Sequence, residues 1–142
     1  HLLLAFSLAV VGLPTSSVAD SRHVVDFPEM MRAHLLENMR DHLLALTKIQ
    51  QHLALEEYEK AATVAENRLG MSSLDGHGAS HMASFMPAAM QQIGTQMHKA
   101  ASRFAIIVQE GGLEGSTPKI AEGLVGVMQQ CVARQSSYRV HP

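Results

Sequence analysis

Residues 35–53 have the sequence LLENMRDHLLALTKIQQHL, and the spacing of their apolar side chains decides the fold class. The stripe alternates steps of four and three residues and consists of Leu35, Met39, His42, Leu46, Ile49 and Leu53. These steps average about 3.5 residues, the period of helices that pack at shallow angles in a bundle. The stretch therefore predicts a long helix with one face buried against other helices.

Three more segments follow a similar rhythm. The second stripe is Leu55, Tyr58, Ala62, Ala65 and Leu69. The third is Met86, Met90, Ile93, Met97, Ala100, Phe104 and Ile107, and the fourth is Ile120, Leu124, Val127, Cys131, Arg134 and Tyr138. Four such stripes with short links predict an all-α fold, an antiparallel up-down-up-down four-helix bundle that occupies residues 20–142.

Helix ends are indicated by capping residues, glycine and proline. Asp26 and Glu29 have capping-box spacing, which predicts a helix over residues 28–53. A second helix over 55–69 should end at Gly70 in a left-handed cap, and residues 71–79 should form a loop. A third helix is expected over 87–110, ending at the two glycines 111–112, and a fourth from Ser116 or Thr117 to about residue 138.

The composition fits one helical domain. The chain has 142 residues, of which 46% are hydrophobic and only 4% aromatic, with nine Met, nine His and no Trp. Such a core suits helices better than sheets. The net charge of -2 gives no basic surface for nucleic acid. The sequence shows no nucleophile–base set, paired-acid motif or phosphate loop, so an enzyme is not expected.

Residues 1–19 are typical of a truncated signal peptide. An apolar run over residues 2–13, too short to span a bilayer, precedes Pro14 and the small residues of Ser17-Val18-Ala19. Cleavage after Ala19 would release a periplasmic chain that starts at Asp20 and has no membrane anchor. The alternative is a buried N-terminal helix. The single cysteine excludes an internal disulfide.

Polar residues interrupt the stripes. A buried imidazole at His42 needs hydrogen-bond partners or a metal, and a bonded core histidine is the simpler interpretation. Met39 is explained as packing, although a thioether also binds soft metals. Cys131 is explained as a small buried residue, and Arg134 can reach water from near the helix end.

Histidine and methionine also concentrate in one region of the chain. The cluster consists of His77, His81, Met82, Met86, Met90, Met97 and His98. Thioether and imidazole groups that converge on one point would hold copper(I). Sequence spacing alone does not bring them together. This alternative is a haem-free metal-binding protein with His42, His77, His81 and His98 as candidate ligands.

The segment CVARQSSYR (131–139) resembles the haem-attachment end of the cytochrome c-prime family, periplasmic four-helix bundles whose last helix carries Cys-x-x-Cys-His. Residues 38–43 (NMRDHL) and 78–87 (GASHMASFMP) look similar to this family as well. The first of these segments contains Met39 and His42, at positions where family members often place a sixth-ligand Met or a haem-facing group. The resemblance implies haem-based electron transfer or the binding of small ligands at haem. A periplasmic redox partner is expected, and the chain could form a homodimer.

The chain departs from the family motif at its decisive positions. Cys131 matches the first thioether cysteine, but Arg134 replaces the second cysteine and Gln135 replaces the proximal histidine. The second thioether and the axial nitrogen are therefore lost. Covalent haem is not expected, while a pocket between Met39, His42 and Cys131 is expected to persist. A cofactor-free structural bundle is the third hypothesis.

Overall fold

The computed structural model describes residues 19–141, so the predicted signal peptide lies outside the described residues except for Ala19. The elements in chain order are β1 (His23–Val25), α1 (Glu29–Ala54), α2 (Tyr58–Leu69), a 3₁₀ helix (Met71–Ser73), α3 (Ala79–Ala83), α4 (Ala88–Glu114), α5 (Thr117–Ser137) and β2 (Tyr138–Val140). Four long helices pack against each other, which confirms the predicted all-α bundle.

The four long helices do not approach each other equally. The closest backbone approaches join α1 to α2, α2 to α4 and α4 to α5, while α1 and α5 make no comparable contact. Small residues on α2 allow its neighbours to come near, because Ala61, Ala62 and Ala65 are all fully buried. The core therefore lies around α2 and α4, and a gap opens between α1 and α5.

The residues of the predicted stripes are all buried or half-buried, with one exception. Among the largest fully buried side chains are Ile49, Leu69, Phe104 and Val127, one from each predicted stripe. Leu55 was assigned to the second stripe, but it is 69% exposed. It follows the end of α1 and precedes α2, so no helix face directs it inward.

Two predicted caps are wrong. α1 begins after Pro28 without a side-chain capping bond, so Asp26 and Glu29 do not form a capping box. Gly70 is extended, with φ -74°, and is not left-handed. The chain continues from Gly70 into the 3₁₀ helix, and α3 follows, so the predicted loop over residues 71–79 is largely turns and helix.

α4 continues through the two glycines that were predicted to end it. A Cβ at Gly112 would lie 2.6 Å from Tyr58 Cγ, and one at Gly111 would lie 2.9 Å from Ile120 Cγ1. These glycines let the first turns of α2 and α5 pack tightly on α4. The helix ends four residues later than predicted, at Glu114, and its cap is Gly115, whose φ of 69° is the left-handed conformation that glycine adopts readily.

A small parallel sheet joins the two ends of the described chain. β1 pairs with β2 in the register His23↔Tyr138, Val24↔Arg139 and Val25↔Val140. Each strand has three residues, too few for an alternating pattern to be recognised in the sequence. Within residues 19–141, no helix is long and apolar enough to cross a membrane.

Candidate cofactor cavity

The gap between α1, α4 and α5 holds a cavity of about 400 Å³, within the usual size range of ligand pockets. We call it the main cavity. Its lining residues are Met39, His42, Leu43, Leu46, Ile93, Gly94, Met97, His98, Gln130, Cys131, Arg134 and Gln135. The pocket expected between Met39, His42 and Cys131 is thus present, with apolar walls and polar groups concentrated toward the end of α5.

A smaller cavity of about 140 Å³ adjoins the main cavity under the α2–α4 connection. We call it the histidine–methionine cavity. Both cavities are lined by His42, Gly94, His98 and Arg134. Three imidazoles and three thioethers face the smaller cavity, from His42, His77, His98, Met82, Met86 and Met90. The bundle therefore brings together most of the predicted histidine–methionine cluster.

The three imidazoles lie against one another. Ring centroids are 4.8 Å apart for His42 and His77, 5.7 Å for His77 and His98, and 5.9 Å for His42 and His98. The shortest nitrogen contact joins His42 Nε2 and His77 Nδ1 at 3.5 Å. These rings come from α1, α4 and the loop before α3, so only the tertiary fold makes them neighbours.

The loop that carries His77 is fixed to α1. The His77 carbonyl accepts hydrogen bonds from His34 Nε2 and Asn38 Nδ2, both at 3.0 Å. Gly78 follows with a φ of 62°, and a Cβ there would lie 3.1 Å from His34 Nε2. Glycine thus supplies both the left-handed turn and the close approach that place His77 over α1.

His98 has a defined tautomer. Its Nδ1 lies 2.8 Å from the carbonyl oxygen of Leu69, which can only accept, so Nδ1–H is the donor. In the neutral ring the lone pair is then on Nε2. A backbone carbonyl that orients the ring in this way is the usual support for a histidine that ligates a metal.

The rings of His42, His77 and His98 are uncharged at neutral pH. Burial, followed by the charges of His77, His98 and Arg134, lowers the pKa of His42 to about 3, while Asp41 opposes the shift. Burial also lowers the pKa of His77 and of His98. Neutral imidazoles keep one nitrogen lone pair each, which is the form that binds metal ions.

The three positions compared with the cytochrome c-prime motif, Cys131 that matches it and Arg134 and Gln135 that depart from it, all line the main cavity. Cys131 is partly buried, and burial raises the pKa of its thiol, so the group is protonated at neutral pH. Arg134 Nη2 is buried without a hydrogen-bond partner among the described residues. Gln135 is exposed, and its Nε2 lies 3.9 Å from Met39 Sδ.

Two residues of the predicted histidine–methionine cluster, His81 and Met97, do not line the smaller cavity. His81 is exposed on α3 and lines neither cavity, while Met97 faces the main cavity and not the smaller one. The helical period placed Met97 in the core correctly but could not assign it to a cavity.

Sequence reasoning missed Gly94, which faces both cavities in the middle of α4. A Cβ at this position would meet nothing within 4 Å. Glycine inside a helix costs about 1 kcal/mol relative to alanine. The signal was therefore available: an isolated glycine in the middle of a strong helical pattern needs a packing or functional reason.

The lining fits a largely apolar cofactor better than a bare metal ion. The main cavity has apolar walls, and His42 and His98 would supply the nitrogen ligand that Gln135 lacks. Within the described range, no three His, Cys, Asp or Glu side chains are arranged to hold a metal ion. The guanidinium of Arg134 also faces both cavities and disfavours an unscreened cation there.

Comparisons with family models, curated proteins and solved structures return no match to this chain.

Proposed function

We propose that this chain is a periplasmic, cytochrome c-prime-like bundle that holds a haem-type cofactor in the main cavity without covalent attachment, and that it is not an enzyme. Its role would be electron transfer or the binding of small gaseous ligands. One observation carries the proposal: Cys131, Arg134 and Gln135 line a single cavity together with Met39 and His42. A haem-binding bundle needs the end of its last helix and the facing part of its first helix to enclose one ligand.

The residues of this chain suggest how such a ligand would be held. His42 and His98 present neutral imidazoles, and either could replace the missing ligand at position 135. Leu46 and Ile93 would exclude water from an apolar ring. Bound haem iron supplies reversible one-electron chemistry and an open position for small molecules.

Titration of the purified chain with hemin tests the proposal. We expect one equivalent to bind with a shifted Soret band, and acid-acetone extraction to remove it completely. Gly94→Leu should block binding, because its side chain would enter the cavity where nothing now lies within 4 Å of a Cβ. His42→Ala should weaken binding or change the Soret position.

His81→Ala is the matched control, because His81 is exposed and lines neither cavity. It should bind hemin as the parent chain does. Circular dichroism would show that each variant is folded. Absence of binding by the folded parent chain, or equal binding by Gly94→Leu, would contradict the proposal.

A second candidate is a copper(I) protein that uses the histidine–methionine cavity. The observation that favours it is the set of three imidazoles and three thioethers around a cavity of about 140 Å³. Anaerobic copper(I) titration distinguishes the two candidates. Stoichiometric copper without hemin binding, lost in Met90→Leu but retained in His81→Ala, would favour copper over haem.

A further inference from the structure

Two buried guanidinium nitrogens lack a hydrogen-bond partner in the described part of the chain, Arg134 Nη2 and Arg139 Nε. Both residues line a third cavity of about 240 Å³, between α1, the end of α5 and β2. We call it the arginine cavity. A buried, unpaired charge is strongly unfavourable, so Arg134 Nη2 needs a partner that the described residues do not supply, whereas Arg139 Nε has only the Asp20 carboxylate, 3.5 Å away.

The arginine cavity has an excess of positive charge. Arg22, Arg134 and Arg139 line it, and no Asp or Glu of the described residues does. The nearby carboxylate of Asp20 pairs with Arg22 at 2.7 Å and lies 3.5 Å from Arg139 Nε, which makes an ion pair without an aligned hydrogen bond. One carboxylate cannot balance three guanidinium groups.

Arg134 receives no compensation from its own helix. The nearest titratable group on α5 is the thiol of Cys131, whose pKa is raised by burial, so the thiol is neutral and carries no charge. The neighbouring rings of His42 and His98 are neutral as well. Burial lowers the pKa of Arg134, which shows that its environment disfavours the cation.

The arginine cavity and the main cavity share Met39, Arg134 and Gln135. Between them lies the contact of Gln135 Nε2 with Met39 Sδ at 3.9 Å. A thioether is a weak acceptor and the Gln135 side chain is exposed, so this contact is easily displaced. One molecule could therefore occupy the apolar main cavity and extend a polar group to the arginines.

We infer that the ligand of this protein is an amphipathic carboxylate, whose apolar body occupies the main cavity and whose carboxylate lies between Arg134 and Arg139. The planar guanidinium matches a carboxylate and forms paired hydrogen bonds with it. The inference deepens the proposed function, because haem carries two propionates. An aliphatic carboxylate has the same chemistry and is the alternative source.

The experiment uses the full chain with four probes: hemin, hemin dimethyl ester, decanoate and decanol. Titration followed by Soret absorbance measures the binding of hemin and its dimethyl ester. Calorimetry measures the binding of decanoate and decanol. We expect the parent chain to bind hemin about tenfold or more tightly than its dimethyl ester, as loss of a charged hydrogen bond predicts. Arg134→Gln should abolish this preference, whereas Arg103→Gln, which changes an exposed arginine on α4, should retain it.

A second measurement separates a binding role from a structural one. Without ligand, Arg134→Gln should unfold at an equal or higher urea concentration than the parent chain, because it removes an unpaired buried charge. If Arg134 merely stabilised the fold, the same substitution would lower the midpoint. A lowered midpoint together with an unchanged preference for hemin over its ester would overturn the inference.

The outcomes for this inference and for the proposed function are distinguishable. Equal binding of hemin and its ester by the parent chain overturns the inference and leaves the haem proposal standing. Binding of decanoate that depends on Arg134, without hemin binding, supports the inference and refutes the haem proposal. If neither hemin nor decanoate binds the folded chain, both are wrong.

Discussion

At the scale of single residues, the site combines neutral bases with one uncompensated cation. Buried histidines keep their lone pairs because burial disfavours the protonated ring. Arg134 cannot lose its proton in the same way, since a guanidinium stays charged in proteins. Arg134 therefore brings a permanent charge into a pocket with apolar walls. Under the proposed function, this charge would change which ligands the pocket favours, in addition to the loss of one thioether.

The low pKa of His42 makes the stability of the fold depend on pH. The pKa of this histidine is 6.5 in the unfolded chain and about 3 in the folded chain. At a pH between these two values, the unfolded chain binds a proton that the folded chain does not. Lowering the pH in this window therefore reduces the free energy of unfolding, by up to about 1.4 kcal/mol per pH unit for one histidine. His42→Gln should reduce this slope, measured by urea unfolding between about pH 7 and about pH 5.

The matched control for the pH prediction is His81→Gln. His81 is exposed, so its replacement should leave the slope of stability against pH unchanged. The Asp41–Arg68 ion pair lowers the pKa of Asp41, so this carboxyl stays ionised throughout the chosen window and does not contribute to the slope. A parent chain whose stability does not change between neutral pH and pH 5 would show that the cluster is not buried in its neutral form.

At the scale of elements, glycines in the long helices have opposite roles that the sequence does not distinguish. Gly112 makes room for Tyr58, whereas a Cβ at Gly126 would meet nothing within 4 Å. Both lie inside helices, where alanine is favoured over glycine by about 1 kcal/mol. Helix propensity thus gives the same expectation at both positions, and only the packing between helices separates them.

The two glycines give a paired prediction. Gly112→Ala should destabilise the protein by about 1–3 kcal/mol, because the new methyl group overlaps Tyr58 Cβ and Cγ. Gly126→Ala should stabilise it by roughly 0.5–1 kcal/mol through helix propensity alone. Urea unfolding of both variants at one pH measures the difference. Stabilisation by both substitutions would mean that α2 and α4 are farther apart at this point.

The helices could be predicted because their stripes repeat over many residues, and the errors have physical causes. The predicted helix end at Gly70 is correct, although the residue is extended and not left-handed. Glycine is the common residue at helix ends, which is why the sequence predicts an end at 111–112 as well. In the structure, the close approach of Tyr58 and Ile120 explains these two glycines instead. The histidine cluster could not be derived, because a loop, α1 and α4 meet only in the tertiary fold.

At the scale of the whole molecule, the position of the cavities follows from unequal helix packing. α2 and α4 form a tight centre through small residues, and α1 and α5 are left apart. The pairing of β1 with β2 joins the two ends of the described chain next to the last turn of α5, beside the arginine cavity. The bundle therefore has a tightly packed core around α2 and α4, and three adjoining cavities lie on the side where α1 and α5 are apart.

This architecture leads to a prediction about covalent haem. Because positions 131, 134 and 135 all line the main cavity, Arg134→Cys with Gln135→His would place two thiols and an imidazole around one pocket. Expressed in a host with c-type maturation machinery, this double variant should acquire haem whose Soret absorbance survives acid-acetone extraction. The chain without these substitutions should lose all haem in the same extraction.

The control for the double variant is Arg134→Ser with Gln135→His, which restores the imidazole without the second thiol. It should bind haem through the iron but should not reproduce the doubly tethered product, as mass spectrometry of the extracted protein would show. Both variants also remove the charge of Arg134, so the result tests the cytochrome resemblance independently of the carboxylate inference. If the Cys–His variant is folded and exported but stays colourless, the cavity is not a haem pocket. The three imidazoles and three thioethers of the histidine–methionine cavity would then make copper the leading candidate.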